Sequence, residues 1–159
     1  MPFPRAILPL VTAALALALT AVPAGAKPSV KIVGWTTQPV SDTPQVKNGG
    51  TIRQCLDTGN GQRSLYVIFK GKGIAKKTRV GAAVWGGPPQ AGFTEEPSNA
   101  DVAKAAFKWP VGSKKSYTSH YGFSFAKGPF GPQDINGTWN AKVLVKGKVA
   151  RRGNVTVAC

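Results

Sequence analysis

The side chains able to do chemistry in this chain are few, and most of them are cationic. His120 is the single histidine, so any relay from a Ser or Cys nucleophile to an imidazole base must run through it. It alternates with Tyr117, Tyr121, Phe123 and Phe125, on the opposite parity, which reads as a histidine on the solvated side of a strand. No Gly-x-Ser-x-Gly elbow presents a nucleophile, and no catalytic residue is assigned. The carboxylates are Asp42, Asp57, Glu95, Glu96, Asp101 and Asp134. A glycosidase needs two of them facing each other about 5–10 Å apart. Glu95-Glu96, on a loop before Pro97, could meet Asp134 across a sheet edge, but the spacing does not require it. One histidine and two distant cysteines make no credible metal set, and no acidic cluster is spaced for calcium. Gly59-Asn60-Gly61 and Gly71-Lys72-Gly73 are turns between strands, not phosphate-cradling loops that open helices. No cofactor is expected.

Charge is the marked anomaly. Twenty-one Lys and Arg face six Asp and Glu, a formal net charge of +15. The cations cluster at Lys70, Lys72, Lys76, Lys77 and Arg79, at Lys114 and Lys115, and at Lys142, Lys146, Lys148, Arg151 and Arg152. The last group is the candidate anionic-ligand patch, with Lys142 and Lys146 on the outward parity of a hairpin and the others around its turn. A field of this sign attracts anionic polymers, lipid heads or acidic surfaces. The competing account is a set of lysines that only keep the protein soluble and guard its edge strands. Sequence-specific nucleic-acid recognition is not expected, because aromatics are not interleaved with the basic patch for stacking. Trp35, Trp85, Trp109 and Trp139 could stack on sugars or fill a core. Parity buries Trp139 and Trp85 and leaves Trp35 and Trp109 free to be exposed.

The elements that must carry these residues follow from period and punctuation. Leu65-Tyr66-Val67-Ile68-Phe69 is apolar on both faces, as in a central strand. Val80, Ala82 and Val84 alternate ahead of Trp85, and Tyr117 to Phe125 keeps a period of two. Trp139, Ala141, Val143 and Val145 alternate with Asn140 and Lys142. The chain then turns at Lys146-Gly147-Lys148 and returns through Val155, Val157 and Cys159, with a bulge expected at Arg151-Arg152-Gly153. Weaker strands are expected at Val30 to Trp35 and Thr51 to Leu56. Ser98 with Asp101 three residues later caps a short helix to Ala106, although Ala105, Phe107 and Trp109 also alternate as a strand. The fold class is all-β, an antiparallel sandwich of about seven or eight strands with one short helix.

Asn136-Gly137-Thr138-Trp139, the alternating Val143 and Val145, Gly147-Lys148 and Val155-Thr156-Val157 resemble the last two strands of immunoglobulin-like or fibronectin-III-like domains of secreted bacterial proteins. Val84-Trp85 is similar to the inward Trp of a central strand in such domains. The resemblance implies a sandwich and brings no functional residues with it. Asn136-Gly137-Thr138 and Asn154-Val155-Thr156 match the N-glycosylation pattern, and neither is expected to be modified.

Compartment comes from the other end of the chain. Arg5 precedes an uncharged run from Ala6 to Val22, and Ala24-Gly25-Ala26 supplies the small residues of a cleavage site, the pattern of a secretory leader cut after Ala26. The run is interrupted by Pro9 and Thr12 and ends at Pro23, short of a transmembrane anchor, so the mature chain carries none. Residues 1–26 are then a leader and 27–159 one secreted domain. In an oxidising compartment the two cysteines, Cys55 and Cys159, read as a disulfide. Closing a loop of roughly 100 residues contributes about 4–5 kcal/mol in the chain-entropy model. The expected function is an exported, non-enzymatic module that binds or lies against anionic material. A small secreted hydrolase and an accessory domain without its own ligand are the alternatives.

Overall fold

The computed structural model describes residues 27–38, 43–55, 57–58, 62–125, 127–128, 131–132 and 134–159. The expected leader at 1–26, Asp42 and the turn at 59–61 lie outside them. In chain order the described elements are β1 (Ser29–Thr36), β2 (Thr51–Ile52), β3 (Asp57–Thr58), β4 (Gln62–Lys72), β5 (Arg79–Gly86), a 3-10 turn (Pro89–Ala91), α1 (Asn99–Lys104), β6 (Phe107–Lys108), β7 (Tyr117–Phe125), β8 (Lys127–Gly128), β9 (Gly131–Pro132), β10 (Gly137–Val145) and β11 (Lys148–Val157).

The doubly apolar β4 is central, as its composition requires. It pairs antiparallel with β7 along one edge and with β1 and the short β3 along the other. The second sheet runs β2-β11-β10-β5-β6. Leu65, Val67 and Phe69 of β4 meet Val80, Ala82 and Val84 of β5 and Trp139, Ala141 and Val143 of β10 in one buried cluster. Each Val, Leu or Phe among them, removed from water, stabilises the sandwich by roughly 1.5–3 kcal/mol. The all-β sandwich is therefore as expected.

Helix α1 starts where the cap places it: the Asp101 N–H donates to the Ser98 hydroxyl at 3.1 Å. It ends at Lys104 rather than Ala106, and Phe107–Lys108 then pairs as a strand with β5, so both local patterns are used in turn. Val102 of the helix packs on Ala83 and Leu144, covering part of the second sheet's outer face.

Three details differ from expectation. Five of the eleven described strands are only two residues long, and the strand expected from Thr51 stops at Ile52. The bulge falls at Ala150, one residue before the stretch expected, since Val143 pairs with Arg151 and Leu144 with Val149. The pairing of β2 with β11 is parallel, whereas the other described strand pairs are antiparallel. That parallel pairing explains the disulfide. Ile52 lies beside Val157, both chains leave the sheet in the same direction, and Cys55 and Cys159 meet with their Cα atoms 5.7 Å apart. Cys159 follows the parity of Val155 and Val157, but the strand ends at Val157 and the last residue is exposed.

Among the described residues no helix is long and apolar enough to cross a membrane.

Candidate functional site

Lysines gather where the register of the first sheet puts them. In the β1–β4 pairing Lys31 stands directly opposite Lys70, and Ser29 opposite Lys72. Lys70 and Lys72 are two residues apart on one strand, so their side chains leave the same face. That is the outer face, because Leu65, Val67, Phe69 and Gly71 take the inner one. Together with Lys114 and Ser116 these residues line an open cleft of about 470 Å³. All four lysines are exposed, and no carboxylate is among the lining residues. Lys114 is shared with a neighbouring hollow of about 440 Å³ that adds Lys76 and Lys115. Like charges set directly opposite on adjacent strands repel. This row is an energetic cost that the sandwich bears.

The hairpin patch proposed from the sequence is less coherent. Lys146 and Gly147 both take positive φ, 52° and 75°, the two-residue turn whose twist suits a tight hairpin. Lys146, Lys148 and Arg151 are exposed around it. Lys142 is not: it is 1% exposed, a correction to the outward, solvated position read from its parity. Its face of the second sheet is covered by α1 and the segment leading into it. The Lys142 ammonium donates to Glu96 Oε1 at 2.9 Å and to the Pro97 carbonyl. Arg152 takes the same carboxylate in a two-pronged grip of 2.8 and 3.0 Å. Two of the five patch residues are thus committed to an internal acid. The exposed remainder flanks the distal part of β11, where cations discourage edge-to-edge pairing.

This clasp also fixes the chemistry of Glu96. Arg152 first, and Lys142 next, hold its carboxyl down from an ordinary 4.5 to about 2, so it is ionised and poorly suited to donate a proton. The folded-state value lies below the unfolded one. The clasp therefore stabilises fully above about pH 4.5 and loses its contribution as pH falls toward 2. Denaturant unfolding at a series of pH values should show stability falling across that window, with a smaller fall for Glu96→Gln. Because Glu96→Gln leaves a buried ammonium without its counter-charge, it should lower the melting temperature more than Lys142→Met, which removes the buried charge itself.

Two of the remaining candidates have local partners of their own. Asp134 caps its own turn, accepting from the Asn136 N–H at 2.8 Å. His120 is half-buried on the outer face of the first sheet, edge-on to Tyr66 at 5.8 Å. Among the described residues no three His, Cys, Asp or Glu side chains are grouped to hold a metal.

Trp139 is buried as expected, whereas the other three tryptophans differ from expectation. Trp35 and Trp109 are 0% and 1% exposed, inside the core with Trp139. Trp85 stands on the outer face of the second sheet, half-buried, with the Lys142 Nζ 5.8 Å and the Arg152 Cζ 5.9 Å from its ring centre. Parity held the signal: Val84 points inward, so its successor points out.

No protein-family model matches this chain, and neither does any curated protein sequence.

Proposed function

We propose that the protein is an exported, non-enzymatic binding module for anionic polymers, which it holds on the outer face of its first sheet. The observation that carries this reading is the Lys31–Lys70 pairing, backed by Lys72 and Lys114 on the same cleft. Four exposed cations without an interleaved acid repel one another in the free protein, and a polyanion relieves that repulsion while releasing its own counterions. A surface that only needed solubility would intersperse the two signs. The disulfide fits an oxidising compartment, and the expected leader would deliver the chain to one.

Retention on immobilised dextran sulfate and polyphosphate tests the assignment. The Lys31→Gln, Lys70→Gln, Lys72→Gln triple variant should elute at clearly lower salt than the parent. A variant with Lys146, Lys148 and Arg151 all changed to Gln carries the same net charge as the first and should be retained longer than it. Equal retention of the two variants would reduce the effect to net charge and remove the cleft from the account.

A further inference from the structure

We infer that the outer face of the second sheet carries a separate site for a neutral saccharide, centred on Trp85, Asn140 and Asn154. The pairing of β10 sets Asn140 opposite Trp85 on one side and opposite Asn154 on the other. The three side chains therefore form one row across three adjacent strands, spaced by the inter-strand distance of about 4.8 Å. Val84, Ala141 and Val155 take the core side at these positions, so the row faces outward.

The ring at the end of this row is held. Arg152 and Lys142, in the next row along the sheet, lie 5.9 and 5.8 Å from the Trp85 centroid, and Glu96 fixes both cations in turn. The carboxamides beside it are free. Asn48, which borders the same hollow of about 270 Å³, spends its side-chain oxygen on the Asn154 N–H at 3.0 Å and the Trp35 indole at 3.4 Å. Among the described residues the side chains of Asn140 and Asn154 make no hydrogen bond. A half-buried indole next to two unengaged carboxamides, each offering a donor and an acceptor, complements a pyranose ring. The sugar's C–H face lies against the indole, and its neighbouring hydroxyls bond the amides.

The far side of Trp85 extends the site. There the indole borders a second cleft of about 360 Å³ with Phe93, Tyr121 and Phe123. Phe93 is 36% exposed and stacked on Phe123 at 4.5 Å. A ring on either side of one indole suits a linear oligosaccharide rather than a single sugar. The groups lining the row are neutral apart from Arg152, which is already paired to Glu96, and the one charged group on the second cleft, Glu95, would repel an acidic sugar, so the ligand is uncharged. The site is independent of the lysine cleft.

Calorimetric titration of the folded protein with cellohexaose, xylohexaose, chitohexaose and maltohexaose tests this. At least one should bind with an affinity that is unchanged by 1 M NaCl and by the Lys31→Gln, Lys70→Gln pair. Trp85→Ala should weaken it ~10- to 100-fold, the size of effect seen when one aromatic stacking partner is removed. Asn154→Ala changes an exposed side chain and keeps the test usable if the tryptophan variant fails to fold; it should weaken binding several-fold. Absence of binding by all four hexaoses at millimolar concentration would overturn the proposal, as would binding indifferent to both Trp85→Ala and Asn154→Ala.

Discussion

Breaking the Cys55–Cys159 bridge, by reduction or as Cys55→Ser with Cys159→Ser, is expected to cost about 4–5 kcal/mol, the chain-entropy value for so long a loop. The bridge spans 104 residues of sequence, so it removes a large share of the unfolded chain's freedom while crossing only the gap between two strand ends. Against a domain stability of about 5–15 kcal/mol, that is a loss of roughly a quarter or more. Thermal unfolding of the oxidised and reduced forms should differ by on the order of 10–20 °C. The loss should be nearly independent of salt, because no charge is involved. Equal melting temperatures would mean that the β10–β11 hairpin, with the short parallel ladder of Thr51 with Thr156 and Ile52 with Val157, fixes the C-terminal strand without help from the bridge.

Trp139→Ala is expected to cost about 3–5 kcal/mol, the range for removing a large buried aromatic. Its side chain is fully buried and bridges the two layers: it belongs to β10 of the second sheet and packs against Phe125 of the first, with ring centres 5.4 Å apart. Its indole N–H donates to the Ile135 carbonyl at 2.8 Å, so truncation opens a cavity and leaves that acceptor unsatisfied as well. The space for the ring is kept by Gly87, which takes φ +71° and whose Cβ, if present, would run into the indole. Gly87→Ala should therefore destabilise through the same contact from the other side, and combining it with Trp139→Ala should cost less than the sum of the two single changes. Strict additivity, measured by chemical denaturation, would separate the glycine from the ring.

How much of this was readable from the residues depends on range. Strands with a clean period of two, such as Tyr117–Phe125 and Trp139–Val145, and the Ser98 cap of α1 depend on neighbours within a few positions, and they appear where the pattern puts them. Cys55 and Cys159 were legible because two cysteines allow one pairing. What the sequence could not reveal is register between distant strands. Lys31 and Lys70 become a pair only when β1 docks on β4 in one alignment, and nothing local marks that alignment. The Glu96 clasp joins residues 46 and 56 positions apart in the chain. It turned Lys142 from an expected surface cation into a buried one because α1 and its approach cover a face that alternation alone reads as solvated. Trp85 is a different failure. Its outward position was available from the inward run of Val80, Ala82 and Val84, but its parity was misassigned, and the likeness of Val84-Trp85 to an inward Trp pointed the same way.

The proposed function requires the lysine row to be a binding surface. Its most direct test is the salt dependence of affinity for a polyanion such as polyphosphate, measured on the folded, oxidised protein. With three or four lysines engaged, affinity should fall on the order of 50- to 150-fold between 50 and 200 mM salt. The logarithmic slope should shrink by about one for each of Lys31, Lys70 and Lys72 changed to Gln. An affinity flat across that range, or a slope that none of the three substitutions alters, would contradict it.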